Sequence, residues 1–395
     1  MVLRGIAIFT VSAGLALVVV AVGIANIASG SAPSRALRFY AFHGDALANQ
    51  AFNVMQARTP DSVARAEQLA RRAFDRDPTS VAAVRTLSLI QDVRGNRDRA
   101  YRGLRYALTL NRRDLLTHLW LIENYVQLED TAGALRHYDM ALRTSTAAHT
   151  ILMPILIQAS SDPGVREPLT KILATRPIWR PTFIREIIAN ASPVDAAVDL
   201  QRRLGSVGAP FSAQEDKDLA ARLVTEERFD VAAQLLKRNA DSAPVIDGRF
   251  DFRQPSGIFS WTLQANYSLG ASSDVSASGG EDHVLSIFSA PGEGGEVARQ
   301  LLILKPGRYR ISSIANGLTA KPRDQARWLV TCAGRNGRDV GTVNLMGGSG
   351  GQASVAEFSV PDLGCAAQWL TLILKAPADA GIQAQVEKVE ITPLR

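Results

Sequence analysis

Four aromatic residues in the last third of the chain, Trp261, Tyr267, Trp328 and Trp369, are the side chains whose type suits a definite chemistry. An indole or phenol ring stacks on the apolar face of a pyranose while neighbouring polar groups meet its hydroxyls. The polar stretch 272–283, SSDVSASGGEDH, follows Tyr267 and offers a candidate rim. Trp261 and Trp328 stand in alternating apolar runs, so packing in a core is the competing reading for both.

Covalent and metal chemistry have no comparable set. The five histidines, His43, His118, His137, His149 and His283, are scattered, with no H-E-x-x-H or similar ligand spacing. No G-x-S-x-G nucleophile turn occurs. The glycine clusters GEGG and GGSGG lack the lysine and the strand-to-helix setting of a phosphate loop, and read as hairpin turns. Cys332 and Cys365 are 33 residues apart without a companion histidine and make no zinc site. They form either a disulfide or a pair of buried thiols. The sequence predicts no catalytic residue, no metal and no cofactor.

The elements that must position such residues change in kind near residue 241. Before it, small residues recur on helices at a fixed step. Ala66, Ala100 and Ala134 are each 34 apart, and Ala73, Ala107 and Ala141 repeat the step seven residues later. Ala70, Leu104 and Tyr138 fall between them, and Leu87 and Leu121 mark the preceding helices. Asp61, Gly95 and Glu129 occupy the turn slot of three successive units, and Pro78 closes the first. A pair of short amphipathic helices cannot bury its apolar face alone, so stacked neighbours bury it together. From 145 to 240 the step drifts while helices and proline-marked turns still alternate. ILMPILIQA at 151–159 is too short to cross a membrane and reads as a buried repeat helix.

After the linker DSAPVIDG, about nine short strands follow, separated by turns rich in Gly, Pro, Asn and Asp. GRFDFRQP is read as the first, and alternation is plain in YRISSIA and QVEKVEI. Regular spacing of this kind predicts a sandwich.

The 34-residue pattern over roughly 45–145 resembles tetratricopeptide repeats. That resemblance implies a curved groove lined by the first helix of each pair, with Arg85, Ser88, Trp120, Glu123 and Asn124 as face residues and a protein partner. The order FSWTL, LSIFSA, QLLILKPGRYRISSIANG and IQAQVEKVEITPL over about 246–395 resembles the jelly-roll sandwich of carbohydrate-binding modules. It implies a polysaccharide ligand, with Trp261, Tyr267, Trp328 and Trp369 as the candidate binding aromatics.

Residues 5–28 carry no charged side chain. A membrane helix needs about 20 apolar residues, so this run predicts a transmembrane anchor, with a cleaved signal segment as the alternative. The formal charge of +6 comes from arginines alternating with alanines and acids on helices, which read as solvated faces. No basic stripe interleaved with aromatics is present, so no nucleic acid is expected as a partner.

The sequence thus predicts an α + β multidomain chain. Residues 1–32 form an anchor or signal segment, 40–240 an α-solenoid of helical hairpins, and 241–395 an all-β jelly-roll sandwich. The functional expectation is a non-enzymatic, membrane-tethered scaffold or adaptor of the bacterial cell envelope, in polysaccharide assembly or export. It would lie in the inner membrane as a single-pass protein with its body in the periplasm. The alternative expectation is a glycan-recognising accessory protein or a carbohydrate-active enzyme.

Overall fold

The computed structural model describes residue 23 and residues 27–237, 243–252, 257–275, 283–319, 324–334, 337–346 and 353–394. The chain divides into two compact units, Met1–Ala209 and Pro210–Arg395.

The expected membrane run at 5–28 lies outside the described residues, apart from Gly23, Ile27 and Ala28. Among the described residues no helix is long and apolar enough to cross a membrane. The longest, Pro60–Arg76, has 17 residues and carries arginines and acids along its length. The expectation of a single-pass, membrane-tethered protein of the inner membrane with a periplasmic body is therefore corrected.

The first unit is helical: α1 Pro33–Phe39, α2 Gly44–Met55, α3 Pro60–Arg76, α4 Val81–Val93, α5 Arg97–Leu110, α6 Leu115–Gln127, α7 Thr131–Thr144, α8 Thr146–Ala159, α9 Pro163–Ala174, α10 Arg180–Asn190 and α11 Asp195–Ser206. Short polar caps start several of these helices. Thr59 and Ser62 form a reciprocal capping box on α3, and Ser80, Asp114 and Asp130 accept from the third amide of α4, α6 and α7. Such caps satisfy amides that have no partner inside the helix.

The alanine step becomes a packing spine. Ala66, Ala70 and Ala73 on α3, Ala100, Leu104 and Ala107 on α5, and Ala134, Tyr138 and Ala141 on α7 are all buried. Small side chains here let paired helices come close. A Cβ at Gly103 would lie 2.0 Å from Ser88 Oγ, and one at Gly133 would lie 2.4 Å from the Tyr125 ring.

Three details depart from the expected register. The left-handed turn residues are Arg58, Gly95 and Glu129, so the first hairpin turns at Arg58, and Asp61 already lies inside α3. From α8 onward the tight hairpins give way to layers, with α8 packed on α10, and α9 between α7 and α11. The 151–159 segment is buried on one face alone: Leu152, Met153, Leu156 and Ile157 point inward, while Ile151 and Ile155 are half exposed.

The second unit opens with two helices, α12 Ala213–Thr225 and α13 Phe229–Leu235, and a short 3-10 turn at Gly257–Phe259. Ten strands follow: β1 Thr262–Leu263, β2 Leu269–Val275, β3 His283–Ser289, β4 Gly294–Leu302, β5 Gly307–Asn316, β6 Ala326–Cys332, β7 Asp339–Asn344, β8 Ala353–Val360, β9 Gln368–Lys375 and β10 Ile382–Pro393. The expected first strand at 248–255 is not a strand over 248–252, and the rest of it lies outside the described residues.

The strands make two five-stranded antiparallel sheets, in the orders β1-β4-β9-β6-β7 and β2-β3-β10-β5-β8. Alternate residues of both meet in one core, including Leu302, Trp328, Val330, Leu370 and Leu372 from the first sheet and Leu285, Ile287, Ile311, Val386 and Val389 from the second. The chain is thus a region of packed helical hairpins followed by a two-sheet β region. The helices α12 and α13 group with the sheets, not with the hairpin array.

Candidate functional site

The two sheets turn very different outer faces away from their shared core. On the first sheet, Leu301 and Trp369 lie under Phe229 and Ala233 of α13 and Phe259 of the 3-10 turn, in one apolar cluster. The helical pair covers this face with hydrocarbon.

The second sheet bears a polar outer face. Its register places Gly270, Phe288 and Gln383 in one cross-strand row and Ser272, Ser286, Gln385 and Asn316 in the next. Asn316 Nδ2 donates to Glu387 Oε1. Further along, Arg308 and Arg310 of β5 clasp Glu357 of β8 at 2.9 and 3.0 Å. The hydrogen bond from Arg310 and the nearby positive charge hold the Glu357 carboxyl below the usual range, so it stays ionised in mild acid. A Cβ at Gly270 would lie 2.7 Å from Ala265 Cα and 2.9 Å from the Phe288 ring, so glycine lets both come close to β2. Residues of β3, β5 and β10 here line a depression of ≈ 560 Å³, with Ser286, Phe288, Asn316, Gln383 and Gln385 among them.

Primary amides donate and accept at once, and so can bridge vicinal hydroxyls. The half-buried Phe288 ring adds an apolar contact beside them. The arrangement suits a polyhydroxylated ligand. It was not singled out from sequence because glutamine, asparagine and serine on alternate strand positions look like any solvated face. The available signal was that the polar half of IQAQVEKVE is rich in amides as well as charges.

The four aromatics expected at a glycan site are not brought together on one surface. Trp328 is 0% exposed and Trp261 7% exposed; their rings meet 5.4 Å apart, with Phe250 against Trp261. Trp328 Nε1 donates to Ser313 Oγ, and Trp261 Nε1 to the Asp247 carbonyl. Both tryptophans are packed in the core with satisfied N–H groups. Trp369 is half-buried in the cluster under α13, with the Arg299 guanidinium 4.9 Å above its ring. Tyr267, 99% exposed, stands in the turn between β1 and β2. Of the candidate rim at 272–283, residues 276–282 lie outside the described residues.

The groove residues fare similarly. Arg85, Ser88, Trp120 and Asn124 are buried between hairpins, and Glu123 is exposed. Arg85 pairs with Asp114, Arg97 Nε donates to Asn124 Oδ1 at 2.7 Å, and Trp120 Nε1 donates to Asp92 Oδ2 at 2.8 Å. These contacts tie α4, α5 and α6 together and leave little of the four to meet a partner. An open groove of ≈ 810 Å³ lies instead between α8 and α10, lined by His149, Met153, Pro154, Ile157, Thr182 and Glu186 among others.

Cys332, the last residue of β6, is bonded to Cys365 before β9. Among the described residues no group of three or more His, Cys, Asp or Glu side chains is placed to hold a metal. His118 and His137, 19 residues apart, do meet, Nδ1 to Nδ1 at 3.1 Å.

No protein-family model matches the sequence. No curated protein matches it either. Among solved structures, it is similar over 38% of its length to a family 16 carbohydrate-binding module, at 15% identity, 99% coverage of that chain and a TM-score of 0.28. Over 53% of its length it is similar to YrrB, described as a tetratricopeptide-repeat protein with an unusual peptide-binding site, at 16% identity, 90% coverage of that chain and a TM-score of 0.26. A tailspike protein of bacteriophage CBA120, described as an enzymatically active domain, aligns with 40% of the chain at 12% identity and a TM-score of 0.30; the chain spans 22% of its length.

Proposed function

We propose that this chain is a non-catalytic, two-module binding protein that recognises a glycan. The β unit is read as a jelly-roll module of the carbohydrate-binding kind, with the outer face of β2-β3-β10-β5-β8 as its ligand surface. One observation carries this reading: Gln383, Gln385, Asn316 and Ser286 present hydroxyl-matching groups in register around Phe288, in a depression on the outer face of the sheet. The covered face of the other sheet makes α12 and α13 part of the glycan module, which then begins near residue 210.

The helical unit is read as a tetratricopeptide-type array. Its support is the spine of buried alanines on α3, α5 and α7, whose last residues Arg76, Leu110 and Thr144 each follow the last by 34. Its protein-binding surface is the groove between α8 and α10, where exposed Ile151 and Ile155 border the mouth-lining Thr150 and Pro154. A peptide or helix laid there would join the glycan-bound module to a second protein, as in a scaffold or an accessory subunit.

The test is retention of the full chain in gels cast with soluble polysaccharides, followed by a glycan array. The chain is expected to be retarded by at least one polymer, and the Gln383→Ala/Gln385→Ala variant to run freely with its fold intact by circular dichroism. If the parent chain is retained by no polymer and binds no arrayed glycan, the reading is wrong. Release of reducing ends from a retained polymer would favour a carbohydrate-active enzyme instead.

A further inference from the structure

A third cavity, of ≈ 490 Å³, opens on α5, α6 and α7 and belongs to neither surface described so far. Arg105 of α5, Arg112 of the following turn and Arg136 of α7 stand around it, and its lining includes no carboxylate. All three arginines are exposed at their outer ends. Arg105 donates to the Tyr101 hydroxyl at 3.2 Å. Among the described residues, the guanidinium groups of Arg112 and Arg136 have no hydrogen-bond or ion-pair partner. The inner wall is apolar and aromatic: Leu108, Met140 and the Tyr125 ring, which stacks on His137 at 5.4 Å and 20°.

The floor is rigid. His118 Nε2 donates to the Arg112 carbonyl at 2.9 Å, which pins the turn that carries Arg112. The other ring nitrogen, Nδ1, meets His137 Nδ1 at 3.1 Å, so the two rings share one hydrogen bond. Tyr125 is held in turn by the Tyr101 hydroxyl at 3.1 Å.

The charge balance identifies the ligand. Three arginines line the cavity and no acid does, so a dianion neutralises more of the field than a single carboxylate does. A phosphate monoester carries about −1.5 to −2 charges at neutral pH and accepts forked N–H donors from arginine. The cavity, at ≈ 490 Å³, is larger than the phosphate group alone requires, and its inner wall suits an apolar or aromatic body. The groups facing His137 agree: burial, then the charges of His118, Arg136 and Arg105, push this histidine down to about 4. Burial is the larger cause; the positive charges that add to it are the part that also favours an anion beside His137.

We propose that the cavity between α5, α6 and α7 binds a small organic phosphate monoester, its phosphate held by Arg105, Arg112 and Arg136 and its apolar body set against Leu108, Met140 and Tyr125. The test uses phenyl phosphate, inorganic phosphate and benzoate with the full chain, by isothermal titration and thermal shift at fixed ionic strength. Phenyl phosphate is expected to bind roughly tenfold or more tightly than either of the others, since it alone supplies both the dianion and the ring. Arg112→Gln/Arg136→Gln, which removes two exposed side chains and leaves the core untouched, is expected to weaken it at least about tenfold. Arg102→Gln, an exposed arginine outside the lining, is expected to leave binding unchanged. Phenyl phosphate binding no better than inorganic phosphate, binding equally to the Arg112→Gln/Arg136→Gln variant, or not binding at all would overturn the proposal.

Discussion

The outer faces of the two sheets obey the same alternation and end in opposite chemistry. On the first sheet the outward half of the strand pattern includes Leu301, Ile303 and Trp369, and the second unit spends two helices and a 3-10 turn in covering them. On the second sheet the outward half is Ser286, Phe288, Asn316, Gln383 and Gln385. The comparison teaches that strand alternation divides inside from outside but does not say what lies outside. Water lies over one face and a helix over the other. A polar face left open and shaped into a depression is the one available to a ligand, whereas the apolar face that carries Trp369 is here a packing surface.

Removing what the faces share should have the largest effect. Trp328→Ala empties the centre of the common core and is expected to cost about 3–5 kcal/mol, measured by urea unfolding of the β unit's tryptophan signal. A loss below about 1 kcal/mol would mean that the two sheets do not depend on one core. Next comes the Cys332–Cys365 bond, which closes a segment with a sequence separation of 33. Replacing both cysteines with alanine is expected to destabilise by about 3–4 kcal/mol, chiefly through the unfolded chain, with glycan retention kept at low temperature.

Phe229→Ala tests the covered face by itself. It is expected to cost about 3 kcal/mol and to speed amide exchange in β4 and β9 before β3 and β10. Equal acceleration in both sheets would break the comparison. On the open face the expectation reverses. Gln385→Ala should change stability by no more than about 0.5 kcal/mol, because nothing packs over it, while glycan retention drops.

The smallest effect concerns pH. Arg310 and Arg308 lower the folded pKa of Glu357, so its ion pairs are complete above the unfolded value of about 4.3 and are lost only as pH falls through the lower folded value. Retention on a glycan gel is therefore expected to be flat between pH 7 and 5. A decline in that window that Glu357→Gln abolishes would show that the carboxylate is not held as the geometry implies.

Much of the helical fold was readable before any coordinates. The 34-residue step named Ala66, Ala100, Ala134 and their partners, and these are the buried contacts between helices. Small residues at crowded crossings leave a periodic trace because each hairpin meets its neighbour in the same way. The turn at Arg58 escaped because an αL residue need not be glycine and the first hairpin turns three residues early. The candidate site was far less legible. Trp261 and Trp328 are chemically apt for a sugar and are equally apt for a core, and residue type alone does not separate the two. Arg85, Trp120 and Asn124 lie on first helices, as a groove would require, but their own hydrogen bonds draw them between hairpins.

By itself the sequence determined the local grammar: capped helices with an alanine spine, then short alternating strands with glycine and proline turns. These follow from interactions within a few residues or between like neighbours, which repeat and so leave a period. Only the tertiary structure decided which sheet face α12 and α13 would cover, and which would stay open with its amides in register. It alone brought His118 to His137 and set three arginines around one cavity. Each of these joins segments whose meeting depends on how whole elements pack. No periodicity records that meeting, because it happens once.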